Sequence, residues 1–371
     1  WVSAQRVGRG PSHHLSPLTP GSPEATRNFR RFTFLSPTRS LLMIGPYSVF
    51  NLTHGNATTH RAVRFAAIFV LALTSGGAAV APTSAVLRPT EGTTDYGPPR
   101  GTLVIAGGGD LRDTGIVERF IARAGGANAK IVIVPTAGGN RHSDGQLIAY
   151  SDDSMLATWR RQYGLTRVTL LHTHDPQSAE TPDFTQPLRE ASGVWFNGGR
   201  QWNLVDSYAN TLTAREFHAV LARGGVIGGS SAGATIQGDY LVRGAVAGPS
   251  IMMAPEPEHQ HGFAFLRRSA IDQHVDTRNR WDDLIPVIKK FPAMIGLGLS
   301  EATAIIVTQD RFEVIGKGLV AIHDNTRAPV SSEKPYILLA AGDQFDLKTR
   351  TTEKAASQTP PAVTPAPRRE Q

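Results

Sequence analysis

The sequence predicts an α/β fold in which helices cover both faces of a parallel sheet. From residue 101 onward, short apolar runs rich in β-branched residues alternate with longer amphipathic stretches, the pattern of strands and crossover helices. Glycine-rich segments directly follow several of the short runs, and open parallel sheets bind ligands at the carboxyl ends of their strands. The chain from residue 85 onward is also long enough to bury a sizeable core, as one large domain or two small ones.

The individual elements follow from apolar patterning and from the residues that end each run. Helices are predicted at residues 116–124 and 213–223, each followed directly by glycine. Residues 235–241 are also compatible with a helix. The predicted strands comprise residues 102–106, 131–134, 167–171, 194–196 and 226–227, and a late pair at residues 302–307 and 311–315.

Charge and cysteine content exclude several classes of function. The 371 residues include 38 Lys and Arg, 31 Asp and Glu and no cysteine, with a formal net charge of +7 at pH 7. Residues 1–84 hold eight of the arginines and one acidic residue, which leaves 30 basic and 30 acidic residues in the remainder. The part predicted to fold is therefore neutral and lacks the basic footprint of a nucleic-acid-binding domain. The absence of cysteine excludes disulfides, thiolate metal sites and a cysteine nucleophile.

The first 85 residues are predicted to lie outside the folded domain. Residues 1–42 indicate disorder or an over-extended gene start, because they are rich in Ser, Pro, Arg and His without a period. Residues 43–85 resemble an export signal, with Arg61 and Arg64 before an apolar run and then small residues. We therefore expect a secreted or periplasmic protein, unless this segment is a buried or amphipathic part of the mature fold. The remaining predicted regions are a linker at 86–99, a folded domain at 100–345 and a proline-rich disordered tail at 346–371.

One short segment indicates nucleophilic catalysis. Residues 229–233 read Gly-Ser-Ser-Ala-Gly, a G-x-S-x-G pattern centred on Ser231 and placed between a predicted strand and a helix. A nucleophile on a strained strand-to-helix turn needs small neighbours, because larger side chains would collide with the adjoining backbone. The alternative is a glycine-rich turn that packs a helix on the sheet without any catalytic role.

Two further segments favour catalysis over a plain turn. Asn-Gly-Gly at residues 197–199 follows a predicted strand, and the N–H groups of Gly199 and Ala232 could form an oxyanion hole. Downstream, His274 could act as the general base for Ser231. Arg278 and Arg280 follow it closely and are suited to bidentate carboxylate binding.

Together the segments FNGGRQ, GGSSAGA and IDQHVDTRNR, in this order, resemble the cyanophycinase and aspartyl-dipeptidase family of serine peptidases. The resemblance covers about residues 101–324 and implies a flavodoxin-like, three-layer α/β fold with a parallel sheet, related to class I glutamine amidotransferases. It implies Ser231 as nucleophile, His274 as base and cleavage beside aspartate. Cyanophycinases release β-linked Asp-Arg dipeptides from a polyaspartate backbone, and the dipeptidases cut after an N-terminal aspartate. The residues that the resemblance assigns to the substrate groove are Gln201, Asp272, Gln273, Arg278 and Arg280.

The triad acid and one substrate position depart from the family pattern. The resemblance implies an acid between the serine and the histidine, and Glu258 is our first candidate there, with Glu256 and Asp239 as alternatives. Cyanophycinases also tend to carry another arginine after the position of Arg280, where this chain has an Asp-Asp pair at residues 282–283. Such a negative charge would repel an anionic polymer or pair with the arginine side chains of cyanophycin.

Two other motifs admit different chemistry. Gly-Gly-Gly-Asp at residues 107–110 lacks the spacing of a dinucleotide-binding loop, so a tight turn near the active-site edge is favoured. His172 and His174 could point to one side of a strand end and ligate zinc, but the fuller histidine-carboxylate pattern of a metallohydrolase is missing.

These observations predict a serine hydrolase that needs no metal or organic cofactor and acts on an aspartate-containing peptide or polymer. We expect no nucleic-acid partner and no stable membrane span, and a homodimer stays open. The rival from another class is a non-catalytic protein that captures acidic peptides on the same scaffold, which the lack of an evident triad acid favours. A glutamine amidotransferase-like amidase is disfavoured, because that chemistry uses a cysteine at the elbow.

Overall fold

The computed structural model describes residues 94–326 and 335–355, which form two β-sheets flanked by helices. All of these residues belong to the unit that begins at Pro82. The predictions for residues 1–42 and 43–85, and those for most of the linker and for the tail beyond residue 355, lie outside the described residues. The last linker residues pack on the domain, since Tyr96 is buried and Arg267 donates hydrogen bonds to the carbonyl oxygens of Thr94 and Gly97.

The first sheet has nine strands, and its five-stranded parallel part forms the scaffold of the site. The strand order is β14-β13-β10-β9-β1-β5-β4-β2-β3, with the strands from β1 to β3 parallel and β9 antiparallel to β1. The strands of this sheet are β1 (Thr102–Ala106), β2 (Ile131–Val134), β3 (Val168–Leu170), β4 (Gly193–Phe196), β5 (Val226–Ser230), β9 (Thr303–Thr308), β10 (Arg311–Gly316), β13 (Gln344–Asp346) and β14 (Thr351–Glu353).

Helices cover both faces of the parallel part, as predicted. Side chains alternate along β1, so that Val104 packs with the core under α1 and α2, whereas Leu103 packs with the core on the side of α4 to α6. No helix within residues 94–326 or 335–355 is long and apolar enough to cross a membrane. The helices are α1 (Ile116–Arg123), α2 (Asp152–Gln162), α3 (Pro176–Ala179), α4 (Pro182–Glu190), α5 (Gln201–Tyr208), α6 (Leu212–Ala222), α7 (Ala232–Thr235) and α8 (Ile285–Lys290).

A second sheet of five strands, which the apolar pattern did not predict, packs on the same side as α4 to α6. Its order is β12-β11-β8-β7-β6, with β6, β7 and β8 parallel. The prediction of a helix at residues 235–241 is wrong: α7 ends at Thr235, and the chain then extends so that Gly238 and Tyr240 pair with β7. The strands are β6 (Gly238–Tyr240), β7 (Leu266–Gln273), β8 (Ile295–Leu299), β11 (Leu319–Asp324) and β12 (Tyr336–Ala340).

Ordered structure continues past the predicted start of the C-terminal tail at residue 346. Strand β14 pairs antiparallel with β13. Leu347 is completely buried, and the buried Arg350 donates a hydrogen bond of 2.9 Å to the hydroxyl of Tyr96. Because apolar and paired polar groups hold this segment to the sheet, the domain includes residues up to 355.

Strand β11 carries a buried histidine that lacks the partners expected of a buried polar group. His323 is 2% exposed, and neither ring nitrogen has a hydrogen-bond partner of good geometry among the described residues. Its ring lies 4.9 Å from that of Tyr336. Burial lowers the pKa of His323 to about 4, and the main chain of Trp281 offsets only part of this shift. The folded protein therefore holds His323 neutral.

We expect His323→Phe to make the fold less sensitive to acid. The unfolded chain protonates this histidine below about pH 6.5, while the folded protein resists protonation down to about pH 4, so stability is lost as the pH falls through that window. The loss amounts to about 3 kcal/mol in the free energy of unfolding and should be absent from the variant. Urea unfolding at neutral pH and at about pH 4 measures it, with the exposed His142→Phe as control. An equal loss in both variants would contradict the assignment.

Candidate active site

Ser231 lies on a strained turn between β5 and α7. Its backbone has φ +58° and ψ −116°, a region that non-glycine residues seldom adopt. Its N–H donates a hydrogen bond of 3.0 Å to the carbonyl oxygen of Ala106, which ties the turn to β1. This is the strand-to-helix elbow predicted from the sequence, with the serine side chain at the carboxyl edge of the parallel strands.

The hydroxyl of Ser231 is within hydrogen-bond distance of an imidazole from the second sheet. Ser231 Oγ lies 2.9 Å from His274 Nε2, so that the hydroxyl can donate to the neutral ring. His274 directly follows β7, and its N–H donates to the carbonyl oxygen of Gly107 at 3.1 Å. A Cβ on Gly108 would lie 2.2 Å from the imidazole. The glycine run after β1 is therefore the surface on which this ring packs.

The carboxylate that contacts the imidazole is Glu301, which sequence reasoning missed. His274 Nδ1 donates to Glu301 Oε1 at 2.5 Å, and Thr277 Oγ1 donates to the same oxygen at 3.0 Å. The N–H of Glu301 donates to Asp276 Oδ1 at 2.9 Å. The serine, imidazole and carboxylate thus form a chain of hydrogen bonds. This chain fixes the tautomer of the ring and leaves Nε2 free to accept a proton.

The three acids considered from sequence lie elsewhere, so the assignment of Glu258 is corrected. Glu258 belongs to a 3₁₀ turn and lines a cavity of about 780 Å³ with Asp206 and Arg215. Asp239 accepts a hydrogen bond from the N–H of Arg268, and Glu256 begins the same 3₁₀ turn. Glu258 lies between the serine and the histidine in sequence, where the resemblance implies the acid, whereas Glu301 follows the histidine. The structure instead brings together residues that follow adjacent parallel strands.

The surroundings of His274 keep its ring neutral. Burial lowers the pKa of His274 below its usual 6.5, and the positive charges of Arg278 and Arg280 act in the same direction. The hydrogen bond and negative charge of Glu301 raise it but do not cancel the effect of burial. A neutral imidazole is the form that can take a proton from a hydroxyl.

The predicted oxyanion segment lies directly beside the serine. A Cβ on Gly198 would be 3.2 Å from Ser231 Cβ, and one on Gly199, at φ +144°, would be 2.1 Å from the carbonyl oxygen of Ala137. Only glycine allows this close approach. The N–H groups of Gly199 and Ala232 donate to no other described residue, so both remain available to an anionic oxygen.

Two residues predicted to contact substrate instead hold the wall of the site. Asp272 is completely buried, and its two oxygens accept hydrogen bonds of 2.8 Å from Nε and Nη2 of Arg243. A substrate cannot reach this carboxylate, which corrects that prediction. Gln201 is also buried, and its amide nitrogen donates to the carbonyl oxygen of Val242 at 2.7 Å. Arg243 was not singled out from the sequence because its partners are distant along the chain.

The other three predicted substrate residues retain free polar groups. Arg278 is exposed, Arg280 is half-buried with Nη1 unpartnered, and the buried Gln273 has its Oε1 unpartnered among the described residues. Asp283, which stands where an arginine was expected, pairs with Arg243 and not with Arg280. The guanidinium of Arg280 is therefore left without an ion pair within the described residues.

The two alternative motifs make contacts with other parts of the protein. The glycine run at residues 107–109 packs against His274 and Glu301 as a tight turn at the edge of the site. His172 Nδ1 is 2.9 Å from the hydroxyl of Thr136, and His174 Nδ1 is 3.2 Å from that of Ser207. No group of three or more His, Asp or Glu side chains that could hold a metal ion occurs within the described parts of the chain.

Comparison with known proteins gives a consistent result. The sequence model of peptidase family S51 matches residues 103–315, more than half of the chain. The chain is 27% identical over 267 residues to the cyanophycinase of Geminocystis herdmanii, covering 67% of this chain and 95% of that one. It is 28% identical over 269 residues to the cyanophycinase of Trichormus variabilis, covering 67% and 86%. The cyanophycinase of Synechococcus elongatus is 28% identical over 287 residues, covering 72% and 86%.

A solved structure shares the fold. A peptidase from an acI-B1 actinobacterium superposes with a TM-score of 0.51 at 20% sequence identity. The match covers 67% of this chain and 97% of that one. The α/β architecture with helices on both faces of the parallel strands is therefore shared with a solved peptidase.

The contact between His274 and Glu301 has a measurable consequence. We expect the pKa of His274 to lie below 6.5, and Glu301→Gln to lower it further, because the substitution removes the hydrogen bond and the charge that favour the imidazolium. Glu258→Gln is the matched control and should leave this pKa unchanged. Titration of the histidine ring signals by NMR measures both. A higher His274 pKa in Glu301→Gln, or the shift appearing in Glu258→Gln instead, would contradict the assignment.

Proposed function

The chain belongs to peptidase family S51 and is a serine-type peptidase, and we propose that it cleaves peptide or isopeptide bonds next to an aspartyl residue. The observation that carries the mechanism is the 2.9 Å separation of Ser231 Oγ and His274 Nε2, with Glu301 on the other ring nitrogen. The proposed specificity for aspartate is supported by nearby guanidinium groups that form no ion pair with the described residues, and by the similarity to cyanophycinases.

The proposed reaction proceeds through an acyl-enzyme. Ser231 Oγ attacks the scissile carbonyl carbon while His274 Nε2 takes the hydroxyl proton, and the tetrahedral oxyanion accepts hydrogen bonds from the N–H groups of Gly199 and Ala232. His274 then gives the proton to the leaving nitrogen, and the C–N bond breaks. Water attacks the resulting ester with His274 again as base, which releases the acid and restores the hydroxyl. Glu301 holds the ring in the productive tautomer throughout.

Aspartate recognition is proposed to rest on Arg278, Arg280 and Gln273. Arg280 is half-buried, has an unpartnered Nη1 and forms no ion pair with the described residues. A carboxylate is the natural partner of such a guanidinium, because charge-assisted bidentate pairs are strong and directional. Gln273 directly precedes His274, and its buried amide oxygen is an acceptor without a partner among the described residues beside the reacting groups.

The proposed substrate class includes the β-linked Asp-Arg polymer that cyanophycinases degrade and short peptides with a terminal aspartyl residue. The rival of a non-catalytic peptide-binding protein depended on the lack of a triad acid. Glu301 fills that position, which removes the observation that favoured the rival.

Ser231→Ala should abolish turnover without unfolding the protein. Removal of a triad nucleophile lowers kcat by at least about a thousandfold. Cyanophycin and α- and β-linked aspartyl dipeptides are incubated with each protein, and the products are analysed by mass spectrometry. The neighbouring Ser230→Ala should retain activity, and a fluorophosphonate should label the wild-type protein at Ser231. Undiminished turnover by Ser231→Ala would exclude this mechanism.

Arg280→Gln should weaken aspartyl substrates selectively. We expect kcat/KM for an aspartyl dipeptide to fall by about tenfold or more, because a charge-assisted hydrogen bond is lost. The matching asparaginyl dipeptide should be nearly unaffected. Arg161→Gln, which removes a positive charge from the exposed surface of α2, is the control. An equal loss on both dipeptides would argue against a carboxylate contact at Arg280.

A further inference from the structure

Arg200 lies next to the reacting groups but has no place in the mechanism above. It follows Gly198 and Gly199, and Gly198 is so close to the nucleophile that a Cβ there would lie 3.7 Å from Ser231 Oγ. Its Cα is two residues from Gly198, at most about 7 Å away, and an arginine side chain spans a similar length. The side chain is therefore long enough to reach a substrate bound at Ser231.

The charge of Arg200 is uncompensated within the described residues. The side chain is half-buried, and Nη2 donates to the carbonyl oxygen of Ala245 at 2.8 Å. Nε is buried without a partner, and no carboxylate forms an ion pair with this guanidinium in residues 94–326 or 335–355. Burial lowers the pKa of Arg200, and no neighbouring acid offsets the shift.

Arg243 is a buried structural arginine of the same protein, and its surroundings differ from those of Arg200. It is 3% exposed, and the carboxylates of Asp272 and Asp283 balance its charge. Burying a cation without such partners destabilises a protein, because the water that solvated it is not replaced. One hydrogen bond to Ala245 does not require a guanidinium. The unpaired charge of Arg200 is explained if an anionic group of the ligand forms an ion pair with it.

Arg200 and the pair formed by Arg278 and Arg280 lie on segments that follow different strands around the serine. Strand β5 lies between β4 and β1 in the sheet, Arg200 follows β4, and His274 packs over the turn after β1. Arg278 and Arg280 follow His274 along the chain. We propose that Arg200 binds a second carboxylate of the substrate, distinct from the aspartyl carboxylate. In a short aspartyl peptide this group is the C-terminal carboxylate. The inference rests on the proposed function and adds a specificity-determining residue to it.

The test measures binding, so that it does not depend on turnover. The full-length Ser231→Ala protein is titrated by calorimetry with β-aspartyl-leucine and with three analogues, in which the aspartyl carboxylate, the C-terminal carboxylate or both are amides. The same four ligands are then measured with Arg200→Gln, Arg200→Lys and Arg161→Gln added to Ser231→Ala. Thermal unfolding of each variant checks that the fold is retained.

We expect the C-terminal acid to bind at least about tenfold more tightly than its amide, as for a charge-assisted hydrogen bond. Arg200→Gln should remove this preference and leave the preference for the aspartyl carboxylate intact. Arg200→Lys should retain part of it, because the charge is kept and the bidentate geometry is lost. Arg161→Gln should change neither preference.

The inference would be overturned by equal binding of the C-terminal acid and amide, by a preference that survives Arg200→Gln, or by no binding of any of the four ligands. A uniform loss on all ligands would also overturn it, because it would indicate general electrostatic attraction. A failure of the proposed aspartate specificity would give a different pattern of binding. In that case amidation of the aspartyl carboxylate would have no effect, while the effect of the C-terminal carboxylate would still depend on Arg200.

Discussion

The whole site depends on close packing of backbone at the turn that carries Ser231. A Cβ on Gly229 would lie 2.3 Å from the carbonyl oxygen of Gly233, and a Cβ on Gly233 would lie 2.1 Å from that of Phe196. No larger residue fits at either position without moving β5 away from its neighbours. Because the neighbours are bare backbone, the strained turn can form, and the hydroxyl stands at the sheet edge. The glycines after β1 likewise allow the imidazole of His274 to pack closely, and those after β4 allow the oxyanion segment to approach Ser231.

A second constraint is the way in which acidic and basic side chains pair around the site. Arg243 binds both Asp272 and Asp283, the two carboxylates that could otherwise neutralise Arg280. Arg280 is close enough to feel both acids, which act against the lowering of its pKa by burial and by Arg243. With these acids engaged elsewhere, the guanidinium of Arg280 stays open. The aspartate that stands in place of the expected arginine is therefore part of the wall, and its charge is already balanced.

The sequence predicts those parts of the fold and site that depend on local pattern. The strands from β1 to β5, the late pair β9 and β10, and the turn at Ser231 follow from apolar runs and glycine spacing. The partner of His274 could not be found in this way, because Glu301 lies 27 residues further on and carries no motif. The signal that could have found it is the segment at residues 295–299, where Ile and Leu alternate with glycine. Recognition of this segment as a strand parallel to β7 would have put Glu301 beside His274.

The triad joins the two sheets, and its two contacts depend on the packing in different ways. His274 and Glu301 follow the neighbouring parallel strands β7 and β8, which are in register with Gln273 opposite Leu299. Their contact is therefore fixed within the second sheet. Ser231 belongs to the first sheet, and the hydrogen bond from Ala302 to the carbonyl oxygen of Gly108, at 2.8 Å, links the two at this edge. A change in the packing between the sheets would separate Ser231 from His274 while leaving the pair of His274 and Glu301 intact. The core between the sheets thus sets the distance across which the proton must move.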